Sequence, residues 1–550
     1  MRRPARATLV GMALALGLVM IPAIALGSQG TPTAAVLETH TLPGIPLAQL
    51  QTEALPDYPV ADDRGMLLGG IGSDLWRAPG DPAGEYWMVT DRGPNGQIEV
   101  DGANRRTFPV PDFTPLILHV RTIDGAIEII NALPILGTSG APVTGLSNRE
   151  SSDEKPYDYA AQGELAYNPN GLDSEGLVRT ASGEFWLVDE YSPSLIHVDG
   201  TGTVIARYVP EGVTLDGADY PVEDTLPAIF ASRKANRGFE GLGLSPDEST
   251  LFIALQSPLS NPDRDTGEAS LNTRILAVDP ATGEPTAEYV YQFDEATAFD
   301  PDPEVIRDDM KLSGVVAIDA DTLLILERTD AVAKLYTAEL ADASNILGGL
   351  SDDPTSAPSL EATDNLLTSR IVPLAKSLLI DLSTLDGMPG KVEGVAVIDA
   401  TTVAVANDND FDIGDFDADG HHIGQGKTSQ ILIVQTPLMS DLSDTSGTPS
   451  ASSAASPAAT PVADAGEIVL VEIIDDRYTP RSANVAVGTT IRWVNRDGVT
   501  HTVSAFDETF ESGSMRKSGV FSATFNTPGT YSYGCNLHLQ MRGNVVVTGA

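Results

Sequence analysis

A strand–turn–strand pattern recurs through most of this 550-residue chain and constrains its fold more than any other feature. Each copy has an aliphatic run that contains a glycine, then a tight turn, then a second aliphatic run that ends at a polar residue. Runs of branched and aliphatic residues joined by a turn are typical of antiparallel β-hairpins. The clear copies begin at Glu175-Gly176, Glu240-Gly241, Ser313-Gly314 and Glu393-Gly394, and a degenerate copy begins at Ile71-Gly72.

The spacing of the copies indicates how the hairpins are arranged. The clear copies start 65, 73 and 80 residues apart, at positions 175, 240, 313 and 393. Almost no amphipathic helical stretch separates them, and long repeats of β-hairpins are typical of β-propellers. We therefore predict an all-β N-terminal domain with about six blades, five to seven being compatible with the spacing. A pair of β-sandwiches or a β-helix is the alternative.

The hairpins also predict where the acidic side chains lie. The start of the first strand and the end of the second lie at the same end of a hairpin, so their side chains converge near the propeller axis. Carboxylates gathered in this way repel one another unless a positive charge lies among them. A hard divalent cation or Arg92, Arg237 and Arg328 are the candidates for that charge. The acids expected to converge are Glu175, Asp189, Glu190, Glu240, Glu327, Glu393 and Asp408.

The repeated Glu-Gly pairs have a purely structural alternative, in which they close the blades by hydrogen bonds. A second acidic segment, Asp415-Phe416-Asp417-Ala418-Asp419-Gly420, has the D-x-D-x-D-G spacing of a calcium loop. Position twelve of that loop is Gly426 rather than glutamate, so an EF-hand is not supported, and a solvated acidic loop is the alternative. The candidate calcium ligands are Glu175, Asp189, Glu393, Asp408, Asp415, Asp417 and Asp419.

The single cysteine of the chain, Cys535, lies in a Cys-x-x-His-x-x-Met segment that includes His538 and Met541, and His501 lies upstream. Thiolate and thioether are soft ligands and imidazole is borderline, so this set favours copper. One loop would supply three ligands and a distant loop would bring His501 to them. The alternative is a buried apolar cysteine with surface histidines. Because all four positions are filled, a type 1 copper site would transfer electrons and would not bind substrate.

Composition divides the chain into segments with different properties. Residues 438–466 are rich in Ser, Ala, Thr and Pro, which predicts a flexible linker. The net charge is −44, and so acidic a surface repels nucleic acid and anionic lipid. We therefore predict five segments: signal peptide 1–27, N-terminal extension 28–58, propeller 59–437, linker 438–466 and copper domain 467–550.

The N-terminus predicts export. Arg2, Arg3 and Arg6 precede an apolar run that ends in small residues near Leu26, as in secretory signal peptides. We therefore expect a secreted, periplasmic or cell-surface protein with no membrane span after cleavage, a retained anchor being the alternative. A lone cysteine also excludes an intrachain disulfide.

The segment from Glu467 to Thr548 resembles the plastocyanin and amicyanin group of cupredoxins at its four candidate ligands. The resemblance implies an eight-stranded Greek-key sandwich that exchanges electrons with a redox partner protein. It also implies an electron port at His538, within an apolar patch that includes Leu537 and Leu539. Leu539 replaces the proline often found after this histidine.

Several dispersed motifs between about Pro59 and Gln435 resemble the phytase-like family. The family implies calcium-assisted hydrolysis of phosphate esters by a propeller. A non-catalytic propeller that docks the copper domain beside a redox partner is the alternative. The motifs are Thr90-Asp91-Arg92-Gly93-Pro94-Asn95-Gly96, Asn236-Arg237-Gly238-Phe239-Glu240-Gly241-Leu242, Gln256-Ser257-Pro258-Leu259, Glu327-Arg328-Thr329-Asp330 and Asn407-Asp408-Asn409-Asp410-Phe411. The implied catalytic residues are Asp91, Arg92, Arg237, Glu240, Glu327 and Arg328.

Overall fold

The fold is seen in a computed structural model. The structure describes residues 34–50, 60, 62–149, 153–437, 439, 468–474, 477–479, 481–505, 509–517, 519–535, 537–538 and 541–548. The predicted signal peptide, much of the N-terminal extension and nearly all of the predicted linker lie outside the described residues. In the part that the structure describes, no helix combines the length and apolarity that a bilayer crossing requires.

The N-terminal domain consists almost entirely of β-strands, as the repeated aliphatic runs predict. Its helices, within the described residues, are short: α1 (Arg264–Ala269), α2 (Ala296–Phe299) and seven 3-10 turns (Leu47–Gln49, Ala228–Ser232, Arg307–Asp309, Leu350–Asp352, Leu366–Ser369, Leu382–Thr384 and Asp410–Asp412). The strands are β1 (Ala35–Thr41), β2 (Asp74–Trp76), β3 (Glu85–Val89), β4 (Gly96–Val100), β5 (Ala103–Thr107), β6 (Leu116–Ile123), β7 (Ala126–Pro134), β8 (Pro156–Tyr157), β9 (Ser174–Arg179), β10 (Phe185–Asp189), β11 (Ser194–Val198), β12 (Val204–Pro210), β13 (Val222–Leu226), β14 (Phe239–Leu244), β15 (Leu251–Leu255), β16 (Asn272–Asp279), β17 (Glu284–Gln292), β18 (Lys311–Ala317), β19 (Thr322–Arg328), β20 (Ala333–Glu339), β21 (Ala375–Asp381), β22 (Val392–Asp399), β23 (Thr402–Asn407), β24 (Asp415–Phe416), β25 (His422–Ile423) and β26 (Gln430–Gln435).

These strands form five blades around one axis. The blades have the strand orders β2-β3-β6-β7, β9-β10-β11-β12, β14-β15-β16-β17, β18-β19-β20-β21 and β22-β23-β26-β1, and β13 adds a fifth strand to the second. The inner strands β2, β9, β14, β18 and β22 each contact the inner strands of both neighbouring blades, which closes the ring. The all-β propeller is therefore confirmed.

The predicted count of about six blades is one more than the described residues contain. The degenerate copy at Ile71 and the next copy at Glu175 are about 100 residues apart, a longer interval than any between the clear copies. That interval instead holds a small separate sheet of β4, β5 and β8 beside one blade. An insertion of this kind lengthens the repeat without adding an inner strand.

The first strand closes the ring. Strand β1 pairs antiparallel with β26 in the last blade, for example His40 with Ile431. It touches the first blade through one parallel pair, Thr41 with Ala126. The last blade therefore combines strands from the two ends of the domain, and the hydrogen bonds between β1 and β26 keep the ring of blades closed.

Glycines in the inner strands allow the blades to approach one another. A Cβ atom on Gly241 would lie 2.3 Å from the carbonyl oxygen of Ser313, and one on Gly176 would lie 2.8 Å from that of Glu240. Neither distance admits a side chain. The glycines of these two Glu-Gly pairs are thus required for blade packing, and the adjacent glutamates are free to face the axis.

Aliphatic side chains fill the space between blades. Leu177 and Leu187 of the second blade belong to the same buried cluster as Leu242 and Ile253 of the third. Complete burial of such a side chain contributes about 1.5–3 kcal/mol. This packing gives the charged residues near the axis a rigid frame.

The C-terminal domain is a sandwich of two four-stranded sheets with the orders β28-β27-β30-β32 and β29-β34-β33-β31. Trp493 is fully buried between them and packs against Tyr533 and Phe525. The eight described strands match the number that the resemblance implied. They are β27 (Ile468–Ile474), β28 (Arg477–Thr479), β29 (Ser482–Ala486), β30 (Thr489–Asn495), β31 (Ser504–Ala505), β32 (Val520–Phe525), β33 (Gly529–Gly534) and β34 (Arg542–Thr548).

Candidate metal centre and propeller cavity

The loop between β33 and β34 carries three of the four candidate copper ligands. Cys535 follows the last residue of β33 and Met541 directly precedes β34. The backbone N–H of Cys535 donates to the carbonyl oxygen of Met541 at 3.1 Å, and the N–H of Met541 donates to that of His538 at 3.0 Å. These bonds hold the loop in a tight turn that keeps its three side chains together.

His501 reaches this loop from the other side of the sandwich. Its Nδ1 atom lies 3.9 Å from the Sγ atom of Cys535. The Nδ1 atom of His538 lies 3.7 Å from the same sulfur and 3.0 Å from the Nδ1 atom of His501. Met541, only 2% exposed, belongs to the same buried cluster as Cys535. Two imidazole nitrogens and one sulfur thus converge on one point, a donor set that fits copper.

Neighbouring groups orient these ligands. The backbone N–H of Thr502 donates to the Sγ atom of Cys535 at 3.3 Å, which stabilises negative charge on the sulfur. The Nε2 atom of His501 lies 3.0 Å from a carboxylate oxygen of Asp497, so Nδ1 is left to face the sulfur. Such partners fix the ring orientation and raise the basicity of a metal ligand.

The two histidines differ in exposure. His501 is fully buried, whereas His538 is partly exposed and its neighbour Leu537 is 55% exposed. Leu539, the other predicted member of the apolar patch, lies outside the described residues. His538 is therefore the ligand through which the site approaches solvent.

The propeller has a small polar cavity of about 200 Å³ where the inner strands meet. Acidic and basic residues from all five blades and their loops line it in nearly equal numbers. The acids are Asp91, Glu175, Glu190, Glu240, Glu393, Asp408 and Asp410; the bases are Arg92, Arg106, Arg237, Lys311, Arg328 and Lys391; Asn95, Asn236 and Gln256 complete the lining. The cavity therefore suits a small polar ligand.

One wall of the cavity is held together by ion pairs. Arg328 contacts Glu393 and lies 3.4 Å from a carboxylate oxygen of Glu240, while its Nε atom donates to Ser313 at 2.7 Å. Lys391 contacts the carboxylate of Asp408 at 2.6 Å. Each of these acids thus has a cation beside it.

Burial raises the pKa of several cavity acids well above the range of free carboxyl groups. Burial, with the charge of Glu240, raises the pKa of Glu190 to about 8. Burial also raises the pKa of Glu393 to about 8, although Arg328 and Lys391 oppose the shift, and that of Asp408 to about 6. Burial and the charges of Arg328 and Arg237 lower the pKa of Lys311. Perturbed pKa values of this kind are common at functional sites.

Two predicted members of the acidic group point elsewhere. Asp189 pairs with Arg207 inside its own blade and accepts from the backbone N–H of Asp173 at 2.7 Å. Glu327 accepts from the hydroxyl of Tyr291 and lies 2.7 Å from Lys376. Neither residue lines the cavity, so the structure does not bring these two carboxylates to the other acids that were predicted to converge near the axis. Successive side chains of a strand alternate in direction, and the next residue in each case, Glu190 or Arg328, faces the cavity.

The Asp415–Asp419 segment is a short hairpin between β24 and β25. Asp415, Asp417 and Asp419 are all exposed. Asp417 accepts from the backbone N–H groups of Asp419 and His421, both at 2.9 Å, which stabilises the turn. In the described part of the chain, the acids close enough to share an ion are instead Asp91, Asp173 and Glu175.

The sequence interpretation did not include three charged residues near the axis. Asp173, Lys311 and Lys391 each lie two residues before a repeat residue, namely Glu175, Ser313 and Glu393. A charged residue thus recurs at the same distance before the repeat residue in three of the four clear copies. This recurrence is the signal that could have identified them.

Comparison with known families agrees with both domains. The family model described as "Esterase-like activity of phytase" matches residues 67–411, and the model for copper binding proteins of the plastocyanin/azurin family matches residues 470–548. The fold and these matches define a propeller joined to a cupredoxin. The chain belongs to the phytase-like family and carries a C-terminal domain of the plastocyanin/azurin family. Both predicted resemblances are confirmed.

Individual relatives match each part separately. An uncharacterized secreted protein of Arthroderma benhamiae is 26% identical over 315 residues, which cover 48% of this chain and 60% of that protein. Amicyanin of Paracoccus denitrificans is 35% identical over 111 residues, which cover 19% of this chain and 81% of amicyanin. A solved structure of a Cu(I) amicyanin variant is 35% identical and covers 14% of this chain and 81% of that one, with a TM-score of 0.14. This chain therefore spans less than two thirds of the fungal relative.

Proposed function

We propose that this protein is an exported type 1 copper electron carrier whose propeller binds and hydrolyses phosphate esters. The convergence of His501, Cys535 and His538 carries the first part of the proposal. These three residues would hold copper, with Met541 as the weak fourth ligand. Bound copper would supply one-electron exchange between its Cu(I) and Cu(II) states. Export is supported by the name of the secreted fungal relative and by the apolar N-terminal segment.

The residues around the site support electron transfer. The partly exposed His538 and the exposed Leu537 lie side by side on the surface. A partner protein that docks on this surface would come close to the copper ligands. Asp497 and Thr502 hold the buried ligands in place, and a rigid ligand set lowers the reorganisation that accompanies electron exchange. A reduced redox protein would donate the electron and a second, oxidised protein would accept it.

The copper assignment is tested by metal analysis, visible absorption and electron paramagnetic resonance of the full chain. We expect about one copper per chain and an intense thiolate-to-copper absorption band. Cys535→Ser should abolish the band. Met541→Leu should shift the spectrum, whereas Met515→Leu, at a second buried methionine of this domain that was not predicted to be a ligand, should leave it unchanged. A Cys535→Ser protein that keeps the band would contradict the assignment.

The second part of the proposal rests on Arg237. Its Nη1 atom is buried and, among the described residues, has no hydrogen-bond partner, although the side chain lines the cavity with Lys311 and Arg328. Phosphate oxygens are strong acceptors for guanidinium groups. In the reaction, a water oxygen forms a bond to phosphorus, the ester P–O bond breaks, and the alcohol leaves with a proton from the water.

The hydrolytic activity is tested by phosphate release from p-nitrophenyl phosphate and phytate with added Ca²⁺. We expect turnover that Arg237→Gln lowers and that the exposed control Arg264→Gln does not change. Removing copper should leave turnover unaffected. If no substrate releases phosphate, and deletion of the propeller abolishes reduction of the copper domain by its partner, the propeller is a docking module instead.

A further inference from the structure

The propeller has a second cavity, at the end of the axis opposite the polar one. Inner strands β14 and β18 begin near the polar cavity, at Glu240 and Lys311, and end at the second cavity, at Leu244 and Ala317. The second cavity has a volume of about 590 Å³, within the range of small-molecule sites. All five blades contribute to its lining, and none of the described lining residues belongs to both cavities. It is therefore a separate site with its own chemistry.

The fourth and last blades give this cavity an apolar wall. Val316 and Ile318 lie at the end of β18, and Val395 and Val397 belong to β22. Val316 and Val397 are only partly buried, so apolar surface remains open to a ligand. Covering such surface removes it from water and is favourable in proportion to its area. This wall therefore suits the apolar part of a ligand.

Two arginines line the cavity from the first and second blades. Arg77 directly follows β2, and Arg179 is the last residue of β9. These two inner strands are neighbours, because a carboxylate oxygen of Asp74 in β2 accepts from the backbone N–H of Leu177 in β9 at 2.8 Å. The two arginines therefore leave adjacent strands at the same end of the axis.

Neither arginine is neutralised by an acid within the described ranges, where no carboxylate lies at ion-pair distance from either guanidinium. Arg77 donates to the carbonyl oxygen of Asp81 at 2.8 Å. The Nε atom of Arg179 is buried without a hydrogen-bond partner in the described structure, and its guanidinium carbon lies 5.0 Å from the centre of the Trp87 ring. A partly buried guanidinium without an acid beside it favours an anionic ligand group.

The two acids of the lining make their hydrogen bonds elsewhere. Glu248 accepts from the backbone N–H of Ala181 at 2.7 Å, and Asp399 accepts from that of Thr401 at 2.8 Å. Asp399 is also exposed to solvent, which screens its charge. These carboxylates therefore stabilise turns and leave the two arginines available to a ligand.

We propose that this cavity binds a small organic carboxylate with an apolar body, such as a medium-chain fatty acid. The carboxylate would accept from Arg77 and Arg179, since the guanidinium fork matches carboxylate geometry. The apolar body would lie against Val316 and Val397. A largely apolar lining with a few polar groups is typical of small-molecule sites. Binding at this site requires neither copper nor a phosphate ester.

The experiment is calorimetric titration of octanoate, and of octan-1-ol as its uncharged counterpart, into the copper-loaded full chain at pH 7.5. We expect one site per chain that binds octanoate more tightly than octanol. Arg179→Gln should weaken octanoate binding at least about ten-fold and change octanol binding little. Arg77→Gln provides a second test if Arg179→Gln fails to fold, as judged by circular dichroism. Arg264→Gln, at an exposed arginine outside the cavity, is the matched control and should bind as the unaltered protein does.

Several outcomes would overturn the proposal. They are no binding of octanoate, equal binding of octanoate and octanol, and unchanged octanoate binding in both cavity variants. Weaker binding in Arg264→Gln would also overturn it, because that arginine lies outside the cavity. Sedimentation of the unaltered protein tests whether a second copy covers the cavity instead. A dimer that Val316→Asp dissociates would replace the ligand site with an interface between copies.

Discussion

The residues of the copper site and those of the propeller cavity are spread over very different lengths of the sequence. Three candidate copper ligands lie between Cys535 and Met541, and one further histidine completes the set. The cavity collects its lining from positions between Asp91 and Asp410. The first site depends on one turn and one neighbouring loop, whereas the second depends on the closure of five blades. Changes to blade packing should therefore affect the cavity while the copper loop stays intact.

The largest effect should come from Arg328→Gln. Arg328 is almost fully buried between Glu240 and Glu393, and removing one partner of a buried ion pair costs about 3–5 kcal/mol. We expect the propeller to lose this much unfolding free energy in chemical denaturation while the copper absorption band is unchanged. Arg264→Gln removes an exposed pair with Glu268 and should have no measurable effect.

The same variant should show a defined pH dependence. Burial holds the pKa of Glu393 at about 8 even with Arg328 present, so loss of the arginine raises it further. Between the usual carboxyl pKa and pH 8, Glu393 is ionised in the unfolded chain and protonated in both folded proteins, so both lose stability in parallel as the pH rises. Above about pH 8, Glu393 ionises in the folded unaltered protein but stays protonated in the folded variant, so the loss of unfolding free energy caused by the substitution should grow. A loss that shrinks above pH 8 would contradict this account.

A smaller effect is expected for Gly241→Ala, which tests the glycine contacts between blades. The new Cβ would lie 2.3 Å from the carbonyl oxygen of Ser313, and overpacking of this kind costs about 1–3 kcal/mol. The midpoint of denaturation should fall for the propeller alone. Gly96→Ala is the control because its Cβ would meet only ordinary contacts at 3.4 Å or more. Equal stability of the two variants would contradict the proposed role of Gly241 in blade packing.

The most limited change should follow from Asp497→Asn, which keeps all four ligands. The carboxylate beside His501 fixes the orientation of the ring, and its negative charge favours the more highly charged Cu(II). We expect copper affinity to fall by about 10- to 100-fold, with a higher reduction potential in voltammetry and the colour retained. Glu472→Gln, from the exposed pair with Arg496, should change neither quantity. A lower potential in Asp497→Asn would contradict the proposed electrostatic effect.

The sequence predicted the propeller, the sandwich and the convergence of His501, Cys535 and His538, because each depends on local patterns or on a short motif. Its central estimate of six blades is one more than the described residues form, although the predicted range of five to seven includes five, since spacing does not distinguish an inserted sheet such as β4-β5-β8 from a further blade. It also predicted that Asp189 and Glu327 converge with the other acids near the axis, whereas both pair with cations inside their own blades. The position of a residue at the end of a hairpin predicts its height along the propeller axis. Whether its side chain faces the cavity depends on the alternation of side chains along the strand.

The cavity also contains ion pairs that cannot be predicted from a list of acidic positions in the sequence. Which carboxylates already have a cation depends on contacts between blades, such as that of Arg328 with Glu240 and Glu393. Asp173 and Glu175 lie two residues apart, yet only the packed ring shows that they share a region with Asp91 and with one arginine. Charge balance is therefore a property of the closed propeller.

The pairing of β1 with β26 also determines how other segments are attached to the propeller. Ala35 lies opposite Gln435 in that pair, so the polypeptide enters and leaves the domain at neighbouring positions on one blade. A circularly permuted gene that joins these positions and opens an outer loop elsewhere would preserve all five blades. By the same geometry, a fusion partner placed before residue 35 would share its attachment point with the copper domain.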